Sequence, residues 1–480
     1  MNLDFLAVAP VVALTVAVVA LLMVDVQLKA PKPGWWAVCA VVGLGGATLA
    51  SAVQWVGHRG EDGARFFTDM IVIDGFSSFA GLVLFPVSAL GLVAAWPLAR
   101  SMGKRGAEFV TLVLVAAAGA HLMAAASNLI VLFIALEVFS ISLYILAGFT
   151  RKRPDADEAA LKYFLLGALA SAIFLYGVAL TFASTGTTDL AGIHAFLDAR
   201  IIFRPGILVV GIGLVIVGFA FKVSAVPFHA WAPDVYQGSP AGITGFMAAT
   251  AKVAGFAALA RLLTTAFGSR ATDWVPALAV IAAASVVVGT LLAIAQSDIK
   301  RMLAYSSVTH AGFVLTALVA SDAGIEAMWF YLAAYALAAV VAFGIVAAVA
   351  GGQAGRVSLT DFAGLAKRAP WLAGGLTLML LSMGGIPLTA GFVGKVAVFR
   401  VAIDAGYLWL VIVGLVAAVA ALFFYLRVVV LMYMQQADED TPIGVSPGMR
   451  LVIGVGGVVT FGLGVAPWPL LTWLADALPS

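Results

Sequence analysis

Apolar runs long enough to cross a bilayer recur from one end of the chain to the other, and little else separates them. A hydrocarbon core takes about 20 helical residues to cross. Runs of that order are read at 5–24, 35–56, 75–98, 108–126, 128–149, 160–183, 206–236, 240–263, 274–296, 301–320, 325–349, 371–401, 407–433 and 450–474. The reading is an all-α polytopic membrane protein of fourteen spans. Two runs, 206–236 and 371–401, are too long for one straight helix. Each holds a breaker, Pro227 in the first and Gly384-Gly385-Ile386-Pro387 in the second.

Composition excludes the soluble alternative. Charged residues are 10% of 480 and hydrophobic residues 63%, against a usual charged share of about 25%. Mean hydropathy is +1.10. A net charge of +2 makes no case for nucleic acid, and a single cysteine, Cys39, excludes an internal disulfide framework and a Cys-ligated iron–sulfur cluster. Metal and nucleotide motifs are absent: the Gly351-Gly352-Gln353-Ala354-Gly355 stretch has no strand before it. The first run carries Asp4 where a signal peptide needs basic residues, and it reads as a span. Segment 57–74 reads as a short external hairpin or amphipathic piece, and Asp438-Glu439-Asp440 as a solvated loop.

Lys and Arg placement sets orientation. Loops after odd-numbered spans hold Lys29, Lys32, Arg100, Lys104, Arg105, Arg151, Lys152, Arg153, Lys300, Arg301, Arg356, Lys367, Arg368 and Arg450. The opposite loops hold half as many, Arg59, Arg65, Arg200, Arg204, Arg261, Arg270 and Arg400. The odd loops are therefore expected on the cytoplasmic side, with both termini outside.

The broken runs are the seventh and twelfth, five apart. Taking spans 4–8 and 9–13 as two units puts the breaks at matching places, and an odd number of crossings inverts the second unit. The expected parts are 1–104 (spans 1–3), 105–266, 267–436 and 437–480 (span 14). Pro and Gly are common in membrane helices in any case, so the match alone does not establish the repeat.

An ionisable group at mid-bilayer costs about 2.5–3.5 kcal/mol or more, which makes it a functional candidate by default. Glu137 sits near the middle of the fifth span, with Phe133, Ser140, Ile141 and Tyr144 on its face. Lys222 precedes the break in the seventh, Lys252 is central in the eighth, and Lys395 follows the break in the twelfth. Burial disfavours the charged form of a Lys or Glu, and proximity of the two favours it. A buried pair therefore changes protonation at modest cost when one member moves, which suits a proton carrier. A static ion pair joining helices is the alternative. His229, two residues past Pro227, is placed to shuttle protons between Lys222 and Lys252, and a structural histidine explains it equally well. His310 stands on the same footing in the tenth span. His121 and His194 read as structural or loop residues, Arg427 as a snorkelling side chain, and Lys162 as either snorkelling or facing Glu137.

The stretch from Phe221-Lys222-Val223-Ser224-Ala225-Val226-Pro227 through Phe228-His229-Ala230-Trp231-Ala232-Pro233-Asp234-Val235-Tyr236 resembles the signature of the antiporter-like membrane subunits of respiratory complex I. Leu161-Lys162-Tyr163-Phe164-Leu165-Leu166-Gly167-Ala168, Gln237-Gly238-Ser239-Pro240, Ser297-Asp298-Ile299-Lys300-Arg301-Met302-Leu303-Ala304-Tyr305 and Leu381-Ser382-Met383-Gly384-Gly385-Ile386-Pro387 with Lys395 extend the resemblance over roughly 105–435. Within that family it is similar to the subunit N branch of NADH-quinone oxidoreductase, because Lys395 stands where the subunit M branch carries Glu. The subunit L branch carries a long C-terminal extension with a lateral helix, unlike this chain. Departures at Ser239-Pro240-Ala241-Gly242 and at Leu388 touch helix starts, not the charged positions.

The resemblance implies that Glu137, Lys222, Lys252 and Lys395 form a proton path across the middle of the membrane, driven by quinone chemistry elsewhere. It implies no cofactor in this chain, with FMN, iron–sulfur clusters and quinone in partner subunits. It implies antiporter-like subunit M, small subunit K and the lateral helix of subunit L as neighbours, and a bacterial inner (plasma) membrane location. Two other readings fit the same residues: a subunit of a Mrp-type cation/proton antiporter, and a purely structural membrane scaffold whose buried charges are dispensable.

Overall fold

Inside lipid every backbone N–H and C=O must be satisfied by the protein itself, and consecutive apolar runs do this as helices. The computed structural model describes residues 7–27, 30, 32–58, 63–150, 153–199, 205–351, 355–437 and 442–477. Asp4, Lys29, Arg59, Arg151, Lys152, Arg200, Arg204, the 352–354 glycine-rich segment and the 438–440 acidic run lie outside them.

The chain begins with α1 (Ala9–Gln27), α2 (Pro33–His58), α3 (Gly75–Ser101), α4 (Arg105–Ala125), α5 (Leu129–Ala147) and α6 (Pro154–Thr185). A short α7 (Leu190–Ala199) leads to α8 (Pro205–Lys222), α9 (Trp231–Gly238) and α10 (Ala241–Arg261). Then come α11 (Ala271–Ile294), α12 (Ile299–Leu318), α13 (Ile325–Val349), α14 (Leu365–Arg368), α15 (Pro370–Gly384) and α16 (Ala390–Asp404). The last elements are α17 (Leu408–Met434), α18 (Pro447–Val465) and α19 (Trp468–Ala477). Among the described residues, twelve helices are long and apolar enough to cross a membrane. Two expected spans fall outside that set: α12, whose first turn carries Lys300 and Arg301, and the α15–α16 pair, whose halves have fifteen residues each.

Several boundaries differ from the sequence reading. Helix α6 starts at Pro154, six residues early. Pro occupies its first position and Asp155 and Asp157 its first turn, where the helix dipole favours acids, so the helix outruns its apolar stretch. The expected last span, 450–474, divides into α18 and α19 at Pro467, which lacks an N–H to continue the ladder. Helix α7 carries no span signal in the sequence, because ten residues are too few to cross a bilayer.

The segment expected as an external hairpin contains two short antiparallel strands, β1 (Ala64–Phe66) and β2 (Ile71–Ile73), with Ala64 opposite Ile73. Ser127 anchors it through an N–H to Met70 O at 3.1 Å and a hydroxyl to Asp69 O at 2.5 Å. Nearby, Asp74 caps α3 and receives both ends of the Arg261 guanidinium at 2.8 and 2.9 Å. Burial alone would push this carboxyl up. The Arg261 charge and hydrogen bonds from Arg261 and Ser77 outweigh it and hold Asp74 below its usual range.

Every residue of α10 is buried, so this helix forms the axis of the molecule, packed by α3, α4 and α13. The periphery is apolar as well. Leu415, Val416, Val419 and Phe423 of α17 and Leu161, Leu165 and Leu169 of α6 are all exposed, the inverse of a soluble surface.

Two small backbone junctions have the same pattern. At the start of α5, Leu129 N–H donates to Thr188 O and Leu190 N–H to Ser127 O, each at 2.9 Å, around an Asn128–Asp189 bridge. At the start of α12, Ile299 N–H donates to Val357 O at 3.0 Å and Leu359 N–H to Ser297 O at 2.9 Å, around an Asp298–Ser358 bridge. Asn128 and Asp298 each cap the helix that follows.

Candidate functional site

A broken helix leaves carbonyls without their i+4 donors. At the first break, between α8 and α9, side chains supply the donors. The Trp231 indole N–H reaches Phe221 O at 2.9 Å, and the Lys252 ammonium on α10 donates to Val223 O. At the second break, between α15 and α16, Gly385 takes the left-handed conformation that ends a helix (φ +84). The Lys395 ammonium donates to Met383 O at 3.0 Å and Gly384 O at 2.8 Å. Lys252 and Lys395 are 2% and 6% exposed, and neither has a carboxylate partner among the described residues. What holds each in place is the negative end of a half-helix, where carbonyl dipoles converge.

Lys222 is 3% exposed at the last turn of α8. Its ammonium donates to the Ser140 hydroxyl at 2.8 Å and lies 4.5 Å from the Phe139 ring centre and 5.8 Å from that of Tyr163. Aromatic faces attract a cation. Ser140 in turn donates to Leu136 O at 2.6 Å. Glu137, half-buried one turn before Ser140, accepts from the Ser171 hydroxyl of α6. No direct ion pair joins Glu137 to Lys222 among the described residues; the two are linked through one helical turn of α5.

A hydrogen-bonded row centred on His310 occupies the second half of the molecule. His310 of α12 pairs its Nδ1 with the Tyr331 hydroxyl of α13 at 2.7 Å and its Nε2 with the Tyr425 hydroxyl of α17 at 3.1 Å. Tyr425 also pairs with Ser306. Both Lys395 and Lys252 lie within electrostatic reach of His310. Lys395 sits 5.0 Å from the Phe313 ring centre, one turn along α12 from His310. A cavity of about 10 Å3 opens between His310, Tyr331, Ser382 and Met383, on the order of the smallest space that admits one water. The signal available beforehand was His310 itself, a titratable residue in an apolar run. Its partners come from the next helix, α13, and from α17, 115 residues further along the chain.

The remaining expectations divide. His229 lies in the linker of the first break with its ring 6.4 Å from that of Tyr305, and bonds to neither lysine among the described residues. Lys162 neither snorkels freely nor meets Glu137. It pairs with Asp234 at 2.9 Å and Glu158 at 2.7 Å, while Arg301 holds the other Asp234 oxygen at 2.6 Å. This cluster borders a polar cavity of about 330 Å3. Arg427 does not snorkel to water either: it caps the end of α11, donating to Ile294 O at 3.3 Å and Gln296 O at 2.5 Å. His121 is buried beside Phe85, and His194 pairs with Asp198 on α7 at 3.3 Å.

Residues 126–421 match the family NADH:quinone oxidoreductase/Mrp antiporter, TM. The NADH-quinone oxidoreductase subunit N of Saccharopolyspora erythraea is 40% identical over 98% of this chain and 97% of its own length. A chain of respiratory complex I from Thermus thermophilus superposes with a TM-score of 0.82 at 34% identity, covering 98% of this chain and all of that one. A chain of the Mrp complex from Dietzia sp. superposes at 0.86, covering 100% of this chain and 97% of that one. Its 21% identity carries the fold alone.

Proposed function

The chain belongs to the NADH-quinone oxidoreductase subunit N family of antiporter-like, proton-translocating membrane subunits, and from that premise we propose that its buried lysines are the stations of a proton path. As such a subunit it is a multi-pass protein of the respiratory chain, in a family whose members typically carry no cofactor. The redox groups, FMN, iron–sulfur clusters and quinone, belong to partner subunits in this reading, and coupling reaches this chain through conformation or charge.

Protons enter near α8–α10 from the cytoplasm. Lys222 holds a proton, its ammonium donating to the Ser140 hydroxyl, with Glu137 tuning it from the adjacent turn of α5. Lys252 relays it, with His229 and water assisting. The His310–Tyr331–Tyr425 row carries it toward Lys395, which releases it outward or to the neighbouring subunit. The observation that carries this reading is the seating of Lys252 and Lys395 on helix-break carbonyls, with no acid partner among the described residues. Such a lysine gains or loses its proton without breaking an ion pair, and the carbonyls respond to any movement of the half-helix.

The finer architecture follows the same proposal: fourteen spans, formed by the twelve long helices with α12 and the α15–α16 pair. The parts are 1–104, 105–266, 267–436 and 437–480. Spans 4–8 and 9–13 are inverted repeats, broken at the seventh and twelfth. The matching junctions at Asn128–Asp189 and Asp298–Ser358 support this, since they recur five spans apart. Both termini face outward, with subunits M and K and the lateral helix of subunit L as neighbours.

The test is the Lys222→Ala variant of the assembled complex in proteoliposomes. The proton-to-electron ratio is expected to fall while assembly persists. A normal ratio in that variant overturns the assignment.

A further inference from the structure

A large cavity lies away from the lysine row. It is a mostly apolar groove of about 800 Å3 between α2, the C-terminal half of α3 and the start of α18. On α3, Ala89, Val93, Trp96 and Arg100 recur at three- and four-residue spacing, so a single helical face lines the groove and ends on a cation. On the opposite wall, Val41 of α2 is 72% exposed, so the groove opens sideways to the hydrocarbon. A second chamber of about 400 Å3 shares Pro97, Ser101 and Ser446 with it and passes the other side of the α3 terminus.

Charge is confined to one end. Arg100 is the one charged side chain lining the groove among the described residues, and it is exposed without an ion-pair partner among them. Lys32 just before α2, Lys104 just before α4 and Arg450 in the first turn of α18 are exposed on the same group of helix ends. Trp96 precedes Arg100 by one turn, at the level where tryptophan marks the passage from hydrocarbon to headgroups.

We propose that this groove is a binding site for an anionic phospholipid, with an acyl chain along the α2–α3 wall and the phosphate on Arg100 and the Ser446 hydroxyl. A slot that is apolar along its length and cationic at one end matches a molecule of the same polarity, and basic residues at a membrane surface attract anionic headgroups. A zwitterionic headgroup brings its own cation toward Lys104 and Arg450 and gains less. Arginine makes paired, charge-assisted hydrogen bonds to phosphate. The site is independent of the proton path and does not rest on it.

The experiment uses the intact purified complex, stripped of loosely held lipid and titrated with phosphatidylglycerol, with lipid retained on this subunit counted by native mass spectrometry. Arg100→Gln is expected to weaken retention about tenfold, and Ala37→Trp, which obstructs the groove, to abolish it with Arg100 intact. Phosphatidylcholine is expected to bind weakly to both forms, and millimolar inorganic phosphate not to displace the lipid. Equal retention by wild type and Arg100→Gln, equal competition by phosphatidylcholine, displacement by phosphate alone, or a partner helix filling the groove in a density map of the complex each overturns the proposal.

Discussion

Lys222 gives its hydrogen bond to the Ser140 hydroxyl, at 2.8 Å, and not to Glu137, the acid one turn away on the same helix. The carboxylate meanwhile is held by Ser171. A hydroxyl both accepts and donates, so Ser140 holds the lysine charge without neutralising it, and Glu137 acts on Lys222 from a distance. The pair is thereby spared the cost of separating a direct buried salt bridge, which is about 3–5 kcal/mol when one partner is removed.

Ser140→Ala is expected to leave the complex assembled and to lower its proton-to-electron ratio, and Ser140→Thr to restore it, because threonine keeps the hydroxyl. Proton uptake by proteoliposomes during quinone reduction measures both. Unchanged pumping in the alanine variant removes Ser140 from the path.

Substitutions at the break lysines separate structure from transport. Lys395→Gln keeps a donor for Met383 O and Gly384 O and is expected to abolish pumping while shifting thermal stability little. Lys395→Leu leaves those carbonyls unpaired, at a cost of about 1–3 kcal/mol. Thermal denaturation of the purified complex beside the pumping assay distinguishes them. Equal pumping by wild type and Lys395→Gln would show the lysine to be a cap only.

The His310 row predicts a graded response. Tyr425→Phe removes one hydroxyl from the row and is expected to slow proton transfer several-fold. His310→Ala removes the centre of it and is expected to approach the Lys395→Gln defect. If neither variant alters the pumping rate, protons pass between Lys252 and Lys395 by another route.

Asp74 and Arg261 set a pH dependence where the start of α3 meets the end of α10. The Asp74 carboxyl is held below its usual range in the folded state. Its stabilisation is therefore fully present above the unfolded value of about 3.9 and is lost as pH falls through the lower folded value. The stability gap between wild type and Asp74→Asn is expected to be constant from pH 7 to 5 and to close only below about pH 4. Thermal denaturation across that range measures it, and a gap that narrows between pH 7 and 5 contradicts the assignment.

Close packing at the second break makes Gly391 sensitive. A Cβ there would stand 1.9 Å from Ser382 O. Gly391→Ala is expected to destabilise the subunit by about 1–3 kcal/mol and to displace the carbonyl end that seats Lys395. Wild-type stability and pumping in this variant would show that the break tolerates rearrangement.

Apolar length, the two helix breakers and the rarity of charge are local properties. From them the sequence by itself determined a polytopic helical chain, the positions of both breaks and the residues Glu137, Lys222, Lys252 and Lys395 as exceptions within the spans. It did not determine what those residues touch. Lys252 meets a carbonyl 29 residues away, Arg427 one 133 residues away, and His310 hydroxyls on two other helices. Such contacts depend on which helix faces pack together, and periodicity within one helix carries no information about its neighbour. For the same reason Arg427 read as snorkelling and Lys162 as a choice between water and Glu137. Only the tertiary structure decided that these cations serve helix ends and Asp234, because a carbonyl or carboxylate brought close by packing satisfies a charge that sequence alone could assign only to water or to the nearest acid.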